Sequence, residues 1–170
     1  MSSQSPELSN ITLRPVGADD HKFLVEVYGS TRADELALVP WTNEQRQAFI
    51  RSQLNSQQDH YLKTYPGASH DIILFEGRQV GRLYVARLDR EIRIIDITLL
   101  PIERNAGIGS YLIRQLLVEG ERTDRAVRIY VEEFNPSLRL FQRLGFSPSE
   151  QQGIHVLMQW TAGQDAHSGP

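Results

Sequence analysis

The sequence predicts a mixed α/β fold: a mostly antiparallel central sheet with helices on both faces. Two observations carry that expectation. Residues 71–100 form three apolar, β-branched runs separated by the short turns Gly77-Arg78 and Asp89-Arg90, the pattern of an antiparallel meander. Around them, segments with helical spacing alternate with further strand-like runs. The predicted order is strand, two helices, three strands, helix, strand, helix, two strands.

Each element has its own signal. Ile11, Leu13 and Pro15 alternate with polar residues and predict a short first strand. Asp19 can cap a helix in which Phe23, Leu24, Val27 and Tyr28 recur at helical spacing, and Gly29 is a plausible stop. The stretch TRADELALVPW either extends that helix or forms a loop, and Pro40 ends it in both cases. Thr42-Asn-Glu-Gln45 reads as a capping box for a second helix through about Gln58. Its few apolar residues (Ala48, Phe49, Ile50, Leu54) predict a surface helix with one buried edge. Residues 59–68 read as a loop with a turn at Pro66-Gly67.

The run IRIIDITLL is the most apolar of the meander and is expected at the centre of the sheet. The next helix shows an i, i+4 stripe of Ile108, Leu112 and Leu116 with Ile113 and Leu117 beside it, closed by Gly120. Ala126–Val131 is another apolar strand. Asn135 and Pro136 start a short helix as N-cap and N1, with Leu138, Phe141 and Leu144 on one face and Gly145 at its end. Phe146 opens a short strand, and Ile154–Trp160 forms the last.

These elements predict one domain over residues 10–161, with flexible tails at 1–9 and 162–170. The net charge of -3 gives no electrostatic case for nucleic acid or an anionic membrane as partner. The absence of cysteine excludes disulfides, a thiol nucleophile and thiolate metal sites. His21, His60, His70, His155 and His167 are scattered without metal-ligand spacing, so no metal is expected. The first ten residues carry no basic and apolar signal pattern, and no apolar run approaches the roughly 18–20 residues of a membrane helix. A soluble cytoplasmic protein is the simplest reading.

The chemistry concentrates at Arg104-Asn105-Ala106-Gly107-Ile108-Gly109-Ser110, between an apolar strand and the striped helix. Glycines let backbone approach a ligand that a Cβ would push away. The first-turn N–H groups have no intrahelical partners, and the helix dipole adds positive potential. This is an anion site fit for a diphosphate. A dinucleotide fingerprint would need a third glycine where Leu112 stands, and a P-loop would need Gly-Lys-Ser/Thr.

Two segments together resemble the GNAT superfamily of N-acetyltransferases. Arg104-x-x-Gly107-x-Gly109 matches its Arg/Gln-x-x-Gly-x-Gly/Ala signature. Asn135 ahead of a short helix ending in Gly145-Phe146 matches its later segment. The resemblance covers residues 71–160. It implies acetyl-CoA as cosubstrate, splayed fourth and fifth strands, and a pantetheine arm inserted between them. Main-chain groups around Leu99, Leu100 and Ile102 would bond that arm, and Arg104 to Ser110 would hold the pyrophosphate. Asn135 either caps its helix alone or also touches CoA, and Phe141 on the same helix is placed with it among the CoA-binding residues.

The implied reaction is direct attack by a primary amine of a small molecule or protein on the acetyl thioester. It needs a base for the amine proton and an acid for the leaving thiolate. Many family members place a tyrosine acid where this chain has Phe141, which has no proton to give. Tyr130 and Tyr111 are the substitutes considered, and Tyr130 is taken as the candidate acid. Asp96, flanked by Ile95 and Ile97, is the candidate base, because desolvation raises a carboxylate pKa; strand alternation could equally aim it at solvent or at an edge partner. Glu132 and Glu133 are weaker bases, and Glu103 more simply solvates the turn. Arg122, Arg125 and Arg128 either meet the 3′-phosphate of CoA or form a solvated surface. Trp41 and Tyr65 either wall the acceptor site or pack. The alternative to an enzyme is a weak or inactive GNAT domain that senses CoA or docks a partner. Homodimerisation, the acceptor and the acyl length stay open.

Overall fold

The computed structural model describes residues 10–163. Its strands are β1 (Ile11–Pro15), β2 (Ser69–Phe75), β3 (Arg78–Arg87), β4 (Glu91–Leu99), β5 (Ala126–Glu132), β6 (Ser147–Gln152) and β7 (His155–Trp160). Its helices are α1 (His21–Ala37), α2 (Asn43–Thr64), α3 (Ile108–Thr123) and α4 (Ser137–Arg143). The chain order is the one read from the sequence. The strands form one sheet in the order β1-β2-β3-β4-β5-β7-β6, with β4 in the middle as its apolar sequence predicts. β4 and β5 are the parallel pair; β1–β2, β5–β7 and β6–β7 are antiparallel.

The described chain divides into two compact units. The first comprises Val85–Asp96 and residues 105–163; the second comprises residues 10–84 and Ile97–Arg104.

In the second unit, Leu24, Val25, Tyr28, Leu36, Ile50, Leu54 and Ile72 form the buried cluster, with Trp41 and Phe49 packed on it. The sequence misplaces two helix ends here. α1 does not stop at Gly29 but continues to Ala37, so TRADELA is helical. Gly29 is a packing residue: a Cβ there would come within 3.2 Å of the Ile50 Cδ1 atom on α2. α2 likewise runs past Gln58 to Thr64, so most of the predicted 59–68 loop is helix. Its capping box is as predicted: Gln45 N–H donates to Thr42 Oγ1 and Thr42 N–H to Gln45 Oε1. α1 begins after a 3₁₀ turn, Ala18–Asp20, and Asp20 rather than Asp19 organises it. The Asp20 carboxylate accepts from Arg14 at 2.8 Å through both oxygens, from the Gly17 N–H at 2.7 Å and from Gln79 at 3.2 Å. These bonds, led by the Arg14 guanidinium, hold its pKa well below the usual carboxylate range.

In the first unit, α3 buries Ile108, Leu112, Ile113 and Leu116, the predicted stripe. Gly120 does not close α3. The helix continues to Thr123, and Asp124 in the left-handed region ends it. A Cβ on Gly120 would lie 2.8 Å from the Arg125 carbonyl oxygen and 3.0 Å from Val127 Cγ2, so only glycine lets helix and strand approach this closely. α4 carries Phe141 into the core, edge-on to Phe146 with ring centres 5.2 Å apart. β6 is exposed at all six positions and pairs β7 with a register shift between Pro148 and Glu150.

β4 contains one residue more than a regular ladder allows. Leu88 N–H donates to Glu91 O, and Leu100 N–H donates to Val80 O. Eight residue steps separate these bonds on β3 and nine on β4. The excess residue is a bulge, which reverses the alternation of the side chains beyond it.

Candidate active site

The loop before α3 is built for close backbone approach. Asn105 has φ 64° and Gly107 φ 87°, both in the left-handed region. Alternating backbone handedness of this kind turns successive N–H groups toward one concavity. The first intrahelical bond of α3 is Tyr111 N–H to Gly107 O, so Ile108, Gly109 and Ser110 have no intrahelical acceptor for their N–H groups. No described side chain caps the helix. Nothing described lies within 4 Å of where a Gly107 Cβ would stand, so the loop is open at that glycine. Unpartnered N–H groups at a helix start are the chemistry that suits an anion.

The parallel pair opens beside it. β4 and β5 are in register only at Glu91–Ala126, Ile92–Val127 and Arg93–Arg128. Beyond those pairs β5 keeps its ladder with β7 as far as Glu132, but not with β4. The two strands thus part company after Arg93 and Arg128, the kind of gap between strands that an extended partner can enter by strand addition.

The sequence-predicted residues fall as follows. Asp96 is half-buried on β4, and Tyr130 half-buried on β5. The Arg93 guanidinium lies 5.3 Å from the Tyr130 ring centre, a cation–π contact. Leu99 ends β4; its carbonyl accepts from Arg104 Nε at 3.2 Å. The Leu100 N–H is committed to the Val80 carbonyl. Ile102 sits in a 3₁₀ turn, Pro101–Glu103, and is 87% exposed. Asn135 Oδ1 accepts from the Ser137 N–H at 2.9 Å, the capping bond predicted for it. Phe141 is core. Tyr111 is half-buried on α3. Glu103 is paired with Arg78, and Glu133 accepts from Gln151. Trp41 packs on Phe49 at 5.3 Å, and Tyr65 is the C-cap of α2. His167 lies outside the described residues.

Arg128 departs from the basic cluster assigned to it. It stands on β5 and donates to Glu91 and Gln159, whereas Arg122 is exposed on α3. Sequence reasoning missed the resulting Glu91–Arg93–Arg128–Gln159 network. Its only sequence signal is polar residues at alternate positions of two apolar strands. It also missed a cluster in the second unit. There Arg82 is 2% exposed and donates to Gln57 at 2.5 Å, and Tyr84 stacks on His70 at 4.3 Å, with burial pushing its phenol pKa up.

With this geometry in hand, comparison with known proteins is direct. The model of the Acetyltransferase (GNAT) family matches residues 32–146. The chain belongs to the GNAT acetyltransferase family. That membership places it among the acetyltransferases, with a CoA-type cosubstrate. Its fold is similar to the PaiA N-acetyltransferase of Thermoplasma acidophilum in complex with coenzyme A. The TM-score is 0.67 at 15% identity, covering 89% of this chain and 98% of that one. An acetyltransferase from Thermus thermophilus aligns with a TM-score of 0.65 at 17% identity, over 89% and 97%. A GNAT family acetyltransferase from Elizabethkingia anophelis with acetyl-CoA bound aligns with a TM-score of 0.59 at 16% identity, over 89% and 98%. No curated protein sequence matches the chain. No described helix is long and apolar enough to cross a membrane.

Proposed function

We propose that the chain transfers an acetyl group from acetyl-CoA to a primary amine by direct attack within a ternary complex. The observation that carries this reading is the uncapped start of α3, with left-handed Asn105 and Gly107 and open space at Gly107. The pyrophosphate sits on the N–H groups of residues 108–110, and Arg104 adds charge at the loop. The pantetheine arm enters where the β4–β5 register ends, beyond Arg93.

In the reaction the amine lone pair attacks the thioester carbonyl carbon. The C–N bond forms, the C–S bond breaks and CoA leaves as thiolate. Asp96 takes the proton that the amine must lose. Tyr130 gives its phenolic proton to the thiolate sulfur. Holding both substrates together supplies much of the remaining acceleration.

The burial of Phe141 against Phe146 favours a second reading, a CoA-binding module with weak or no turnover, because the family's usual acid is replaced by a core residue.

Calorimetry with CoA and acetyl-CoA, followed by a thiol-release assay over amines, tests the proposal. Binding with turnover supports it. Tyr130→Phe and Asp96→Asn are each expected to lower kcat by about 10²-fold with CoA affinity unchanged. Binding without turnover on any amine selects the second reading, and no binding sinks both.

A further inference from the structure

In the first unit, β5 presents two contrasting faces. Val127, Ile129 and Val131 are buried, and Val127 lies against α3. Arg128 and Tyr130 alternate with them on the other face and are half-buried. There Arg128 Nε donates to Gln159 Oε1 at 2.6 Å and Nη1 donates to Glu91 Oε2 at 2.7 Å. The same carboxylate accepts from Arg93 Nε at 2.9 Å, and Arg93 lies over the Tyr130 ring. A continuous chain of contacts therefore runs from Gln159 to Tyr130.

The charges in that chain are unequal for Arg128. Its anionic partner is shared with a second guanidinium, and its other partner, Gln159, is neutral. Gln159 orients the side chain without cancelling its charge. Among the described residues Arg128 Nη2 makes no hydrogen bond, and the side chain keeps 30% exposure against 13% for Glu91. The result is a held, accessible guanidinium with donors to spare, the group best shaped for a carboxylate. It sits where the β4–β5 ladder ends. Tyr130 is the next residue on its face, about 7 Å along the strand.

We infer that the acceptor is an amine with a carboxylate close to it, a free α-amino acid, and that Arg128 binds that carboxylate. The inference rests on the acetyl-transfer reading and on Tyr130 standing at the reacting end. In an α-amino acid the nitrogen is two bonds from the carboxyl carbon. A carboxylate on Arg128 would direct the amine along the strand toward Tyr130. Glu91 and Gln159 act as positioning residues that keep the guanidinium extended.

Two experiments test it. In the first, L-amino acids and their carboxamides are compared as acceptors with acetyl-CoA. At least one acid should exceed its amide in kcat/KM by about tenfold or more, mainly through KM, as a charge-assisted bond would give. Arg128→Gln should collapse that ratio toward one, and Arg128→Lys should restore part of it. Equal use of acids and amides overturns the inference, as does an Arg128→Gln variant that slows both alike. The second experiment needs neither turnover nor a variant. The Arg side-chain Nε–H resonances of the CoA-loaded protein are followed while glycine, alanine or aspartate is added, with the amides as controls. A shift of the Arg128 signal by the acids alone supports the inference, and no shift overturns it. Failure to bind CoA at all is read separately by calorimetry and strikes the acetyl-transfer reading instead.

Discussion

α2 and α3 begin in opposite ways. At the start of α2, Thr42 and Gln45 exchange side-chain bonds with each other's N–H groups, so the cap N–H and one first-turn donor are satisfied within the chain. At the start of α3, Gly107 offers no side chain, its backbone is left-handed and the next three N–H groups have no intrahelical acceptor. A missing cap typically costs about 1 kcal/mol. One helix avoids that cost and the other leaves its first donors without a side-chain cap. A helix start that a chain could cap easily and does not is a place where an outside anion completes the structure. α1 sharpens the contrast, since the Asp20 carboxylate occupies the Gly17 N–H just ahead of it.

Substitutions can break this comparison, and the largest effect should come from the far end of α3. Gly120→Val places carbon where the Arg125 carbonyl and Val127 already stand. It should cost about 3 kcal/mol or prevent folding, seen as a collapse of the urea midpoint. A mild effect would mean that helix and strand can separate. Gly107→Val is the complementary test. The left-handed backbone makes it cost about 1–2 kcal/mol, but no neighbour is displaced, so the chain should still fold. CoA affinity should fall by about 10²-fold in calorimetry as the side chain fills the space before the donors. Unchanged affinity would reduce the cradle to a plain turn.

Asp20→Asn comes next, with an expected loss of about 2 kcal/mol at neutral pH, because Arg14 and Gly17 lose a charged acceptor. The folded-state pKa of Asp20 is depressed. Its contribution is therefore present above the ordinary carboxylate pKa of about 3.9 and is lost as pH falls toward the folded value. The stability gap between wild type and variant should narrow on acidification below about pH 4; a constant gap would remove the ion pair from the account. Thr42→Ala should cost about 1 kcal/mol and leave CoA binding alone, since the α2 cap serves only its own helix. The smallest effect is expected for Glu119→Gln. It removes a 2.6 Å pair with Arg87, whose side chain is 42% exposed, and should cost under about 1 kcal/mol, less in high salt.

Much of this molecule is legible in its sequence because its elements are punctuated locally. The capping box at Thr42, the Asn135 cap, the stripe of α3 and the hairpin turns each act within a few residues. The errors share one cause. Gly29 and Gly120 read as helix stops, yet each lies inside a helix where another element packs close, tightly at Gly29 and with no room for a Cβ at Gly120. A single sequence shows a glycine but not what presses on it. The extra residue in β4 and the three-residue register with β5 are likewise properties of a pair of strands, so no local signal announces them. The same holds for Arg128. In sequence it follows Arg122 and Arg125, while in the fold its partners are 37 and 31 residues away. The site divides along the same line: the glycine loop was readable, whereas the residues that would choose an acceptor come together only through strand register.

The exposed strand β6 has a consequence for how the protein behaves in crowded solution. Its sequence SPSEQQ includes Pro148, which has no N–H to offer, and its pairing with β7 slips at that point. An incoming strand would meet a missing donor, a break in repeat distance and the negative charge of Glu150. Such margins resist sheet-to-sheet growth. The terminal strand thus works as a selvedge, a finished border that keeps the weave from being extended by a neighbour, and it should help keep concentrated protein free of fibrous aggregates.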